Sequence, residues 1–324
     1  MLLNFRAEKK MQNNYDVIII GAGAAGLTAG IYLSRAKVKT LILNEGAVGG
    51  QMVLTHEIAN YPGVENISGY ELARNMKSQA QKFGCKIRSN IKITDIQLTE
   101  ETKQVTINNK ETFTSDAVII STGGKSRTIG AIGEDKFKGL GISYCATCDG
   151  DFFQDKEIIV VGGGNSALEE AVSLTKYASK VTVVHQFDHF QAFEHYVEEA
   201  RNNPKINFIM DSEIVEFSGN EKLNAVRIRN KISGNISEMN IDGVFILIGY
   251  VPNTEMLRGI IELNGNNEIV VDNNMATNIH GVYAAGDSIA KRFRQVTTAV
   301  ADGTIAALSC AEYVHNNKKE PLEV

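Results

Sequence analysis

No run in this chain of 324 residues reaches the roughly 18 to 20 consecutive apolar residues of a membrane-spanning helix. The opening stretch MLLNFRAEKKMQNNYD has no apolar segment long enough for a secretory signal. Basic runs are scarce: the longest are pairs such as Lys9-Lys10 and Lys318-Lys319, and the formal net charge is -5. That balance favours neither a membrane surface nor nucleic acid as partner. Cysteine is rare, with four in the chain and no second CxxC or Cys/His cluster beside Cys145 and Cys148. A structural zinc site needs further ligands at metal spacing, and they are missing. The expectation is a cytoplasmic protein with no metal and an unpacked leader before Tyr15. In that reducing compartment a CxxC is catalytic or metal-binding more often than a permanent staple.

Hydrophobic residues at 43% and charged ones at 22% are enough to build folded cores. The length exceeds the roughly 100 to 200 residues of one domain, so two are expected. Two stretches look alike. DVIIIGAGAAGLTAGIYLSRAKVKTLILNEG from Asp16 and EIIVVGGGNSALEEAVSLTKYASKVTVVHQF from Glu157 align without a gap, 141 positions apart. Each is an apolar run, a glycine turn, a helix with apolar residues at three-to-four spacing and a second apolar run, which is a βαβ unit written twice. In the first turn Gly21 allows the tight bend, Gly23 lets backbone approach a pyrophosphate and Gly26 permits close packing of helix on strand. Helix N-terminal amides then face the phosphate. Gly162, Gly164 and Ala167 repeat the pattern, although such glycines can also serve only to pack a helix on a sheet.

Between the units, KIRSNIKITDIQLTEETKQVTINNKETFTSDAVIISTGG alternates with period 2 between polar turns and reads as strands. After the second unit, KINFIMDSEIVEFSG, LNAVRIRNKISGNISEMNIDGVFILIGY and NEIVVDNN read the same way. The last piece, GVYAAGDSIAKRFRQVTTAVADGTIAALSCAEYV, is a strand, a Gly-Asp turn and a long apolar helix. It resembles neither βαβ unit and is expected to complete the first domain. The fold class is therefore α/β, with two Rossmann-like three-layer nucleotide-binding domains, the second inserted in the first. The boundaries are placed at 1–124 with 252–324, and 125–251.

In order and spacing, GAGAAG (21–26), GGQM (49–52), NYPG (60–63), STGG (121–124), CATCDG (145–150), GGGNSA (162–167), IGYVPNT (248–254), AAGD (284–287) and RQV (294–296) together resemble the low-molecular-weight thioredoxin reductases. The resemblance runs from about Tyr15 to Tyr313 and implies FAD, thioredoxin as partner and a homodimer. It assigns Gly21, Gly23 and Gly26 to the FAD pyrophosphate, Glu45 to the adenosine ribose, and Ala24 to cofactor binding. Glu45 follows Gly21 by 24 residues, close to the roughly 20 expected of a ribose-binding acid. Gln51 and Asn60 would lie along the flavin, Asp287 would hold the ribityl side, and Arg294, Gln295 and Val296 the ring, with Gly50, Thr122 and Gly286 also assigned to cofactor binding. Taken alone, Asp287 could equally be a turn or N-cap aspartate.

Thiolates perform disulfide exchange, so a redox CxxC holds one sulfur low in pKa and the other within disulfide reach. The resemblance makes Cys148 the sulfur against the flavin, Cys145 the thiol that attacks thioredoxin and Asp149 the acid that protonates the departing thiolate. One CxxC cannot face both a buried flavin and a large protein, so a rotation is expected, with hinges near STGGKS and GYVPNT. Cys85 and Cys310 read as buried bystanders. A flavin redox sensor without turnover would have no need of Asp149. Delivery to a peroxiredoxin usually needs an attached thioredoxin-like domain, absent here, and ferredoxin-NADP reductases of similar fold normally lack the CxxC.

The sequence departs from the family pattern after the strand that ends in VVHQFDHFQAFEHY. His185 matches, but Gln186, Phe187 and Gln191 stand where three arginines would bind the 2'-phosphate of NADPH. The acid that would bind the ribose of NADH is also missing at the strand end, since Asp188 comes late. The intact GGGNSA keeps NAD(P)H open. Relatives that take electrons from reduced ferredoxin similarly lack the arginines, which points to ferredoxin as donor. Ferredoxins are acidic, and Lys291 and Arg292 offer a basic docking surface or simply a solvated face.

Overall fold

The first strand, β1 (Asn14–Ile20), reads NYDVIII and is buried from Val17 to its end, as a central strand covered on both faces must be. In the computed structural model, which describes residues 13–318 apart from 56 and 100, β1 lies mid-sheet between two parallel neighbours. One neighbour is β2 (Thr40–Asn44), reached through helix α1 (Ala24–Arg35); the other is β6 (Glu111–Ile120). Helix α2 (Gly69–Lys82) leads to β3 (Lys86–Ser89), and β4 (Ile93–Gln97) and β5 (Lys103–Ile107) are antiparallel strands that lead into β6. The sheet order is β3-β2-β1-β6-β5-β4, and β17 (Val282–Ala284) adds to β6 in parallel. Helix α7 (Val296–Lys318) ends the described chain and approaches α1 at Gly303, where an added Cβ would lie 2.3 Å from Ala25 O. Up to residue 12, the leader expected before Tyr15 lies outside the described residues. Asn13 and Asn14 already bond or pair with the start of β6.

The backbone divides into two units, one containing the residues up to Lys125 and those from Pro252 onward, the other Ser126–Val251. Short strands β7 (Gly124–Ser126) and β16 (Tyr250–Pro252) carry the two crossings and pair with each other. The inserted unit has its own parallel sheet, ordered β11 (Ile206–Ile209), β10 (Lys180–Val184), β9 (Glu157–Val161), β15 (Gly243–Ile246), β8 (Ile142–Ser143). Helices α3 (Glu134–Phe137), α4 (Ala146–Asp149), α5 (Asn165–Leu174) and α6 (Glu194–Asn202) belong to it, as does an antiparallel sheet of β12 (Ser212–Gly219), β13 (Leu223–Asn230) and β14 (Ile236–Asn240). The fold is thus two Rossmann-like α/β units.

One expected strand is absent from the described residues. In NEIVVDNN only Ile269 forms isolated bridges. The reason is local: Asp272 Oδ1 accepts the N–H groups of Asn274 and Ala276, both at 2.8 Å, closing a turn where a ladder would have to continue.

Candidate functional site

The cysteine pair lies at the carboxyl end of β8, an edge strand of the inserted unit's sheet. Cys145 takes an extended backbone and caps the single turn α4, while Cys148 N–H donates to Cys145 O at 3.3 Å. The two Cα atoms come within 5.3 Å and the sulfurs form a disulfide. Ser143 is buried directly upstream. Its hydroxyl accepts the Cys145 N–H at 3.1 Å and donates to Asp149 Oδ2 at 2.6 Å. Burial pushes the Asp149 carboxyl up, the Ser143 hydroxyl pulls it part of the way back, and the Asp151 charge adds to the rise. A carboxyl so placed holds its proton longer than an exposed aspartate, which suits an acid beside a thiol pair. From the far side, Glu170 Oε2 on α5 accepts the Ala146 N–H at 3.1 Å. Neither Ser143 nor Glu170 was expected from the sequence. Ser143 lies two residues before Cys145 and gave a faint local cue, whereas the Glu170 contact spans 24 positions with none. Cys85 is buried and its thiol is pushed up to about 11, and burial also raises Cys310, so neither ionises readily.

The other unit assembles the residues expected to hold FAD. Gly21 has φ +106°, and a Cβ there would lie 2.2 Å from Ser121 O; one on Gly26 would lie 2.0 Å from Gly21 O. These glycines let α1 start hard against the ends of β1 and β6. At Gly23 an added Cβ meets nothing within 4 Å, and no side chain caps the helix that begins at Ala24. That leaves an open approach to the first amides of α1, the cradle a pyrophosphate requires. Gly50 and Gly286 close on the same turn, with an added Cβ at 3.2 Å from Gly23 Cα and 2.9 Å from Ala25 Cβ respectively. Asn44, which the motif reading missed, braces it by accepting the Ala22 N–H at 2.9 Å.

Glu45 follows β2 and accepts Ile93 N–H at 2.7 Å through one oxygen, leaving the other for a ligand. Gln51 is exposed in the single turn Gly50–Leu54. Asn60 and Gln295, 235 positions apart, approach to 3.5 Å. Thr122 Oγ1 donates to Asn253 O at 2.8 Å, joining the two strands of chain that lead to the inserted unit. Asp287 Oδ1 is buried with Lys291 Nζ at 3.5 Å, longer than a normal hydrogen bond, so it retains capacity to accept one. Burial pushes its carboxyl up and the Lys291 charge opposes the rise. Arg294 pairs with Glu268, and Val296 opens α7. This donor set fits a dinucleotide cofactor.

Lys291 does not lie on the docking surface expected of it. Its side chain is 13% exposed and turns inward, with Asp302 Oδ2 at 2.7 Å and Asp287 Oδ1 at 3.5 Å. It offers nothing to an acidic partner. Arg292 beside it is exposed, lying 5.0 Å from the centre of the Phe293 ring, itself 63% exposed.

In the inserted unit the glycine turn is kept: Gly162 has φ +144° and α5 starts after Gly164. The loop after β10 folds back on it, with Gln191 N–H donating to Gly163 O at 2.8 Å and Phe193 N–H to Asn165 Oδ1 at 2.8 Å. His185 is buried against Gly163, and burial holds its imidazole below the usual range. Gln186, Phe187 and Gln191 are exposed and neutral, and Lys231 from the β13–β14 turn lies 5.5 Å from the centre of the Phe187 ring. Asp188 is exposed and paired with His189 at 2.6 Å. No described helix is long and apolar enough to cross a membrane.

Residues 15–303 match the pyridine nucleotide-disulphide oxidoreductase family. The thioredoxin reductase of Peptoclostridium acidaminophilum is 43% identical over 317 residues, covering 96% of this chain and 100% of that protein. That of Bacillus subtilis is 43% identical over 301 residues, covering 93% and 95%. The crystal structure of thioredoxin reductase from Streptococcus pyogenes superposes with a TM-score of 0.91 at 40% identity, across 94% of this chain and 99% of that one. Agreement on this scale takes in both glycine-turn units and the stretch that holds Cys145, Cys148 and Asp149, and the chain belongs to the low-molecular-weight thioredoxin reductase family of pyridine nucleotide-disulphide oxidoreductases.

Proposed function

We propose that this chain is a flavoprotein thioredoxin-disulfide reductase that passes electrons through the Cys145–Cys148 disulfide to thioredoxin, with reduced ferredoxin rather than NADPH as donor; FAD held at the α1 glycine turn would supply the two-electron chemistry that reduces the pair. Gly21, Gly23, Ala24 and Gly26 hold the pyrophosphate, the free oxygen of Glu45 the ribose and Asp287 the ribityl chain. Asn60 and Gln295, with Gln51, line the flavin. The reduced pair acts through Cys145, whose sulfur attacks the thioredoxin disulfide and forms a mixed disulfide. The thioredoxin sulfur that leaves takes a proton held by Asp149. Cys148 then attacks Cys145, which re-forms the intramolecular disulfide; the proton of the Cys148 thiol passes to the second departing sulfur, and thioredoxin is released as a dithiol. A rotation about residues 121–126 and 249–254 alternately presents the pair to flavin and to thioredoxin. Exposed Tyr32 on α1 and Ile305 and Leu308 on α7 support a homodimer.

The observation that carries the choice of donor is the neutral, exposed trio Gln186, Phe187 and Gln191, which gives a 2'-phosphate no bidentate cation. The retained Gly162 turn, with Lys231 beside Phe187, supports the second reading, NAD(P)H as donor through a rewired loop. Anaerobic stopped-flow absorbance of the purified flavoprotein separates them. Mixed in turn with NADPH, NADH and reduced ferredoxin, the flavin should bleach with ferredoxin alone; bleaching within seconds by either nicotinamide overturns the ferredoxin assignment in favour of the second reading.

A further inference from the structure

Cys145 is flanked by two backbone N–H groups, its own and that of Ala146, and an acid stands behind each. The Cys145 N–H reaches Asp149 through the Ser143 hydroxyl, by bonds of 3.1 and 2.6 Å. The Ala146 N–H goes directly to Glu170 Oε2 at 3.1 Å. The proposed cycle uses Asp149 and leaves Glu170 without a task. A half-buried carboxylate is a costly acceptor for one amide that a neutral side chain or a water could satisfy. Glu170 lies on α5, the helix that opens at the second glycine turn, so its position is tied to the strand-turn-helix unit and not to the cysteine loop.

Reduction puts two electrons into the S–S bond, which breaks. The two sulfurs then carry two protons, or one proton and one thiolate where a thiol is acidic. N–H donors and cations stabilise a thiolate, and a carboxylate charge opposes it. Stabilising the thiolate favours the reduced pair and makes the disulfide the stronger oxidant. Glu170 works in the opposite sense, since it occupies the amide that follows Cys145 and sets negative charge beside the turn. We propose that Glu170 is a positioning residue that holds the cysteine turn and lowers the reduction potential of Cys145–Cys148, so that the reduced pair yields its electrons more readily to a partner disulfide. The inference rests on reading this pair as the reacting disulfide. Burial pushes the Glu170 carboxyl up, the Ala146 N–H draws it back, and the neighbouring Glu169 charge adds to the rise. A mildly alkaline buffer therefore keeps Glu170 charged during the test.

The full-length flavoprotein is equilibrated anaerobically in dithiothreitol redox buffers, acid-quenched and alkylated, and the Cys145–Cys148 peptide is counted by mass. Glu170→Gln keeps an oxygen for the Ala146 N–H and removes the charge. It should shift the equilibrium about tenfold toward the reduced pair, which is about 30 mV for a two-electron couple. The pH at which Cys145 becomes half-reactive to iodoacetamide should fall with it. Glu170→Asp, which retains the charge, should stay near the parent on both measures. If Glu170→Gln titrates with the parent, or Glu170→Asp moves as far as Glu170→Gln, the proposal is overturned. Neither measurement uses thioredoxin turnover, so a failure to reduce thioredoxin would count against the proposed function and leave this result standing.

Discussion

Replacing Asp149 with asparagine removes one ionisable proton and almost no volume. The parent carboxylate accepts a 2.6 Å bond from Ser143, and its backbone N–H donates to Cys145 O at 3.2 Å. An asparagine carbonyl can accept the same hydroxyl, so the loss is the difference between a charge-assisted bond and a neutral one, about 1 kcal/mol, offset by no longer burying a carboxylate. The melting temperature should move by no more than about 2–4 °C. Because burial raises this carboxyl, the folded chain binds its proton more tightly than the unfolded chain does. The resulting stability is fully present below the unfolded value and is lost as pH rises through the folded one, and the variant should lack that slope. Catalysis is a separate matter, since an amide has no proton to give a departing thiolate. A general acid contributes roughly 10²–10⁴ in rate, or about 2.7–5.5 kcal/mol of barrier. The assay is a single turnover: protein reduced beforehand with dithionite is mixed with oxidised thioredoxin, and the product dithiol is trapped over time and across pH. Asp149→Asn should slow dithiol release into that range and abolish the decline with rising pH that follows loss of the Asp149 proton. A loss of less than about tenfold at unchanged melting temperature would refute the acid's role.

Ser143→Ala removes the bond that holds the Asp149 carboxyl down and strands the Cys145 N–H. It should cost about 1–3 kcal/mol in denaturant melts and move the high-pH decline in thioredoxin reduction to higher pH. The first glycine turn should separate folding from cofactor binding. Gly26→Ala drives a methyl into Gly21 O and should destabilise the chain by about 1–3 kcal/mol, whereas Gly23→Ala meets open space and should cost at most about 1 kcal/mol in the apoprotein while weakening FAD retention, read as flavin absorbance after desalting. Lys291→Ala leaves Asp287 and Asp302 without their shared cation and should cost about 3 kcal/mol in denaturant melts. Arg292→Glu should raise the KM for reduced ferredoxin most at low salt. Installing Gln186→Arg with Gln191→Arg should confer flavin bleaching by NADPH, observed in the same stopped-flow cell.

The parts of this chain that could be read in advance are those whose task is local. A residue held at positive φ, or one where a helix must start against a strand, admits little but glycine, so Gly21, Gly26 and Gly162 announce their geometry in any sequence that carries them. Alternation along β5 and β6 is likewise set by the two faces of one sheet. NEIVVDNN failed the same test because Asp272, a residue that bonds its own following amides, outweighs the apolar run before it. Lys291 departs from expectation for a related reason: adjacent basic residues suggest a charged surface, and only the fold shows that Asp302, eleven positions on, draws one of them inside. Ser143, Asn44 and Glu170 act through bonds to backbone amides, a task that leaves no periodic or compositional trace. The acids at the cysteine turn show the consequence most clearly. Asp149 is legible because it abuts the CxxC, whereas Glu170 touches the same turn from a helix whose sequence speaks only of a dinucleotide site. A glycine-turn unit with Gln186, Phe187 and Gln191 where arginines would bind a 2'-phosphate still serves the cysteine turn, because its helix carries the carboxylate that accepts the Ala146 N–H. On that reasoning α5 supports the cysteine turn whether or not a nicotinamide docks on it.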